Sequence, residues 1–141
     1  MVVITNNPLV RDSDLDESIN LIWVEGYYED VLITVRNWVH RGHKLLTHPL
    51  AGSIKPYETP YRTVLVSDEA SSLHIESLTI LEQAFALLSS FKQAGGQLDS
   101  LRTYQDKHLT DLQLVDYGLM EAAIKQQPTM QRELRERGET E

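Results

Sequence analysis

The chain has 141 residues, 41% of them apolar and 24% charged, enough to bury the core of one domain and unlike the composition of a disordered or membrane protein. A net charge of −8 excludes general nucleic-acid binding, which relies on an excess of Lys and Arg, and the absence of cysteine excludes disulfides, thiol nucleophiles and thiolate metal sites. No apolar run approaches the ~18 residues of a spanning helix, and the opening MVVIT lacks the basic region and cleavage site of a secretory signal, so a cytoplasmic protein with no membrane partner is expected.

In chain order, Val2, Val3 and Ile4 predict a buried strand, stopped by Thr5-Asn6-Asn7-Pro8, where Asn favours local side-chain bonds and Pro cannot continue a ladder. Residues 9–20 are polar and acidic and read as a surface connection with one helical turn. Leu21 to Val24 give a second strand, closed by Glu25-Gly26. From 28 to 41, Val31, Leu32, Val35, Trp38 and Val39 repeat on one helical face, and this period outweighs the strand propensity of the β-branched residues among them. Gly42 stands where that helix needs a left-handed cap. Residues 43–47 are expected as a third strand and 63–66 as a fourth, with Ser67-Asp68 capping the next helix.

That helix, 73–91, carries so wide an apolar stripe that it is expected to pack beneath the last helix or in a homodimer interface. Gly95-Gly96 stops it. Thr110 with Gln113 fits a capping box and Leu109 with Leu114 a hydrophobic staple, so a final helix over 111–127 is expected, burying Leu112, Val115, Leu119 and Ala123. The predicted fold is an α/β domain over 1–128, with a small, mostly parallel sheet of about four strands, two C-terminal helices, and a charged tail over 129–141 that is frayed or disordered.

The stretch 41–66 holds three prolines and two glycines between apolar runs and reads as a long exposed loop joining two strands, the kind of loop that carries function more often than decoration. Between 31 and 66, five basic residues (Arg36, Arg41, Lys44, Lys55, Arg62) stand against one acid, Glu58, a cationic island in an acidic chain that favours a small anion. Ligands of open α/β sheets bind beyond the carboxyl ends of the strands. Here those ends carry Asn6, Asn7, Glu25, Gly26, Thr47, His48, Ser67 and Asp68, and the loop adds Ser53, Lys55, Glu58 and Thr59. Asn6, Asn7, His48, Ser53, Lys55, Glu58, Thr59 and Asp68 are therefore the candidate ligand-binding residues. Asn6 and Asp68 can equally well serve only as turn caps.

Other chemistries find less support. His40, His43 and His48 fall close together, but residues five apart on one strand face opposite sides of the sheet, so no metal site is expected. Glycine spacing matches neither a P-loop nor a dinucleotide fingerprint, and no G-x-S-x-G elbow presents a serine, so no cofactor is expected and no catalytic residue can be named.

Ile4-Thr5-Asn6-Asn7-Pro8, Val31-Leu32-Ile33, Val35-Arg36, the run Gly42-His43-Lys44-Leu45-Leu46-Thr47-His48-Pro49-Leu50, Gly52-Ser53, Lys55-Pro56 and Glu58-Thr59-Pro60-Tyr61 together resemble the GrdX family. The likeness extends to about Asp68. It implies a small protein of undetermined role, encoded with the selenium-dependent glycine, sarcosine and betaine reductases of anaerobic bacteria, and it carries over no catalytic residue. Without cysteine the chain is not itself a redox subunit of such a system. Two functions follow as expectations: an accessory or regulatory protein binding a small anion or a reductase subunit at the 47–60 loop, or a small hydrolase or transferase using His48 with a loop carboxylate. A homodimer through the helices 73–91 and 111–127 is expected as well.

Overall fold

A computed structural model describes residues 1–50, 59–95, 106–128, 136 and 138. Ser53, Lys55, Glu58 and almost all of the 129–141 tail lie outside the described residues. The elements are β1 (Val2–Thr5), α1 (Pro8–Arg11), β2 (Asn20–Trp23), α2 (Tyr28–His40), β3 (Thr63–Val66), α3 (Ile75–Gln93) and α4 (Asp106–Gln126). No helix among the described residues is long and apolar enough to cross a membrane.

The sheet has three strands in the order β2-β1-β3, with β2 parallel and β3 antiparallel to β1. It is therefore mixed, where a mostly parallel sheet of about four strands is the expectation from sequence. The missing strand is the segment 43–47. It lies antiparallel beside β3 but makes only one bridge, between Leu45 and Val66. Two backbone bonds flank that bridge, Leu46 N to Leu65 O (2.8 Å) and Ser67 N to Lys44 O (2.9 Å), and elsewhere hydroxyl groups accept instead of carbonyls: Lys44 N donates to Ser67 Oγ (2.8 Å), Leu45 N to Ser77 Oγ (3.0 Å), and Leu65 N to Thr47 Oγ1 (3.0 Å). Side-chain bonds of this kind compete with sheet formation. Because the chain returns from this segment as an antiparallel neighbour, β3 runs against β1.

Strand residues alternate between two covered faces, which is why VVIT and TVLV read as continuous apolar runs. Val2, Ile4, Val64 and Val66 point to one side, where they meet Val31, Leu32, Val35 and Val39 of α2 and Leu81, Ala84 and Leu88 of α3. Val3 and Leu65 point to the other, against Val10 of α1 and Met120 and Ile124 of α4. The last helix is thus packed on the sheet, across from α3, rather than on α3 as the stripes suggested.

α2 follows its sequence pattern closely. Asp30 in its first turn accepts a hydrogen bond from Tyr27 N (2.8 Å), and Gly26 at φ +140° leaves room for it, since a Cβ there would come within 2.3 Å of Asp30 Oδ2. At the other end Gly42 N donates to Val39 O (3.0 Å) and His43 N to Trp38 O (3.2 Å), the paired bonds of a glycine-capped terminus. Gly42 has φ +102°, and a Cβ on it would meet Ser71 O at 2.0 Å. α3 is capped by His74, whose Nδ1 accepts from Ser77 N (3.2 Å), and not by Ser67-Asp68. α4 begins at Asp106, so Thr110 lies inside the helix instead of capping it.

Candidate functional site

The carboxyl ends of β1 and β2 converge with the amino end of β3, and the polar groups between them are buried. Asn6 is 5% exposed. Its Nδ2 donates to Pro60 O (2.7 Å) and Gly26 O (3.1 Å), and its Oδ1 accepts from Arg62 N (2.9 Å). One side chain thereby ties the exits of β1 and β2 to the entry of β3. Asn7 caps α1 by accepting from Leu9 N (3.0 Å), while its Nδ2 donates to Gln113 O (2.9 Å) and Asp116 Oδ2 (3.0 Å) of α4.

Asp116 is the centre of this clasp. Only 5% exposed, it accepts from Thr63 N through Oδ1 (2.9 Å) and from Thr63 Oγ1 through Oδ2 (2.6 Å). Thr63 Oγ1 lies 2.7 Å from Thr5 Oγ1, which also accepts from Asn7 N (3.0 Å). A buried carboxylate is stable only when its lone pairs are engaged, and here three donors engage them. Its placement sets the phase of α4: the buried row is Leu112, Asp116, Met120 and Ile124, leaving Val115 and Leu119 of the predicted stripe exposed.

Beside the clasp, Tyr28 is fully buried and donates from its hydroxyl to Pro49 O (2.8 Å). The guanidinium of buried Arg62 lies 5.2 Å from the centre of its ring. Burial pushes the Tyr28 phenol up to about 12, against the opposing pull of the Arg62 charge. Tyr61 stands at the outer edge, its hydroxyl accepting from Gln113 Nε2 (3.0 Å).

Next to this buried network opens a cleft of about 340 Å³ between the segment 46–48, β3 and α4. Thr47, His48, Arg62, Thr63, Gln126 and Gln127 supply its polar walls, and Leu65, Leu119, Met120 and Ala122 are among its apolar ones. His48 is exposed, and its Nδ1 accepts from Leu50 N (3.0 Å). With Nδ1 accepting, the ring proton sits on Nε2, and that nitrogen is a donor.

Of the residues expected at the site, the structure brings Asn6, Asn7, His48 and Thr59 to this end of the sheet. Thr59 is buried and its Oγ1 accepts from Tyr61 N (3.2 Å). Asp68 is not with them. Because β3 is antiparallel, Asp68 leaves at the opposite end, where it pairs with the amino group of Met1. The cationic island divides in the same way: Arg62 lines the cleft with its guanidinium over the Tyr28 ring, whereas Arg36 of α2 and Arg41, its C-cap, lie over the rings of Phe85 (4.8 Å) and Trp38 (4.8 Å). His43 packs against Trp38 at 4.6 Å, with Nδ1 2.7 Å from Ser67 O. Among the described residues no three His, Asp or Glu converge in the manner of a metal site. Sequence reasoning missed Tyr28 and Asp116. The signal for Asp116 was the row Leu112, Met120, Ile124, regular in steps of four once position 116 is allowed to be polar.

No curated protein and no solved structure matches the chain. A family model described as GrdX-like protein does match, over residues 2–125, a span that includes β1, the clasp, most of the cleft lining and nearly all of α4. The chain belongs to the GrdX-like family.

Proposed function

We propose that this protein is an accessory binding protein of the glycine, sarcosine and betaine reductase system, and that it takes a small carboxylate or phosphate at the His48 cleft. The family supplies the setting. The observation that carries the ligand chemistry is the bond from Leu50 N to His48 Nδ1, which leaves a hydrogen-bond donor on Nε2 of a ring lining a cleft that Arg62 also lines. A ring N–H donor in a polar-walled cleft suits an anion. The same bond weighs against a hydrolase or transferase using His48 with a carboxylate, because a catalytic imidazole is oriented by donating from Nδ1 to that carboxylate, whereas here Nδ1 accepts.

Calorimetric titration of the intact chain with acetate and with inorganic phosphate tests the reading. At least one anion should bind, and His48→Ala should weaken it roughly ten- to a hundredfold, the loss of one charge-assisted bond. Absence of binding by both, or binding unaltered by the substitution, would remove the proposal. Copurification of reductase subunits with the tagged chain tests the setting separately.

A further inference from the structure

α4 presents two opposed rows. The inner one, Leu112, Asp116, Met120 and Ile124, is buried. On the outer side Asp111, Val115, Gly118, Ala122 and Lys125 are all exposed, and they follow one another in alternating steps of four and three. That is the seam spacing of paired helices. Leu114 and Leu119 flank the seam, so that with Val115 this face leaves apolar side chains 55%, 37% and 44% exposed.

Gly118 is the residue the isolated chain does not explain. It sits within a helix, has no positive φ, and a Cβ built on it would meet nothing within 4 Å among the described residues. Glycine at such a position costs about 1 kcal/mol relative to alanine. Close approach of another backbone would account for it.

We propose that this seam is the contact between two copies of the chain, α4 against α4, antiparallel about a two-fold axis at Gly118. A two-fold contact must be complementary to itself, residue by residue. With Gly118 on the axis, Val115 of each copy stands within one residue, about 1.5 Å, of the level of Ala122 of the other, large beside small. Asp111 of each meets Lys125 of the other, acid against base at both ends of the seam. A helix of 21 residues, about 30 Å long, gives this contact its length. An unrelated partner would have no reason to match the seam's own symmetry. α3 takes no part, because it lies on the far face of the sheet.

Sedimentation equilibrium of the full chain over a wide concentration range provides the test. The parent should be a dimer in equilibrium with monomer. Gly118→Leu should abolish the dimer while leaving the monomer at least as stable to denaturant, because the site is open and leucine favours helix. Asp111→Lys should weaken association about tenfold by setting like charges opposite each other, and adding Lys125→Asp to it should restore the parent's affinity. A parent that stays monomeric, or a dimer indifferent to both Gly118→Leu and Asp111→Lys, would overturn the proposal.

Discussion

Asn6 and His48 stand at the same end of one small sheet, and both are polar residues just beyond a strand or strand-like segment. Asn6 directs three side-chain bonds to backbone groups and is buried; His48 is exposed, and one ring nitrogen accepts one bond from its own loop. The contrast extends to their neighbours. Asn7, Thr63 and Asp116 close a buried network beside Asn6, while His48 lines an open cleft of about 340 Å³. Polar residues at strand ends therefore divide into those whose bonding capacity holds the strands together and those with a donor left for a ligand. Position alone does not separate them; the partners do.

The largest effect should follow from breaking the clasp at its carboxylate. Asp116→Ala strands the Thr63 amide and the Asn7 carboxamide inside the protein, and we expect a loss of about 3–4 kcal/mol in denaturant unfolding. Asp116→Asn, which keeps the shape and one acceptor, should lose roughly half of that. Asn6→Ala comes next, at about 2–3 kcal/mol, since it releases Arg62 N, Pro60 O and Gly26 O together. If either substitution proved neutral, the clasp would not be what joins α4 and β3 to β1.

Tyr28 gives a pH-dependent version of the same comparison. Its folded pKa, about 12, lies above the ordinary tyrosine value of 10, so between those values the unfolded chain loses the proton while the folded chain keeps it. Stability should then fall as pH rises, by about 1.4 kcal/mol per pH unit over that window. Tyr28→Phe should remove this part of the alkaline slope, at the cost of about 1 kcal/mol at neutral pH for the lost bond to Pro49 O. An unchanged slope in the variant would mean that the ring is solvated.

Much of this arrangement was legible in the sequence, for reasons that differ by element. The 28–41 helix was readable because its apolar period and its glycine cap agree, and the observed α2 spans Tyr28–His40 with Gly42 at positive φ. β1, β2 and β3 were readable from short apolar runs. The direction of β3 was not, because direction depends on how 43–47 returns, and that segment pairs with β3 through one bridge and two backbone bonds, with the hydroxyls of Thr47, Ser67 and Ser77 taking its other amide contacts. Asp68 was grouped with the other strand ends for the same reason. The phase of α4 was misread by one residue, Val115 and Leu119 for Asp116 and Met120, because an apolar stripe by itself does not show that an acid is buried against partners as distant in sequence as Asn7 and Thr63. The resemblance to GrdX pointed to the family that the match over 2–125 establishes.

The smallest expected change in stability is that of His48→Ala, within about 0.5 kcal/mol, because the residue is exposed and outside both core layers. This makes it the sharpest probe of the division between clasp and cleft. Thermal unfolding and anion titration should be measured together on the parent, His48→Ala and Asp116→Asn. The account predicts that His48→Ala melts like the parent but binds acetate or phosphate roughly ten- to a hundredfold more weakly, while Asp116→Asn melts lower and, where still folded, binds as the parent does. If His48→Ala lowered the melting temperature as much as Asp116→Asn, or left the binding of both anions unchanged, the cleft would be scaffold and the division would be wrong.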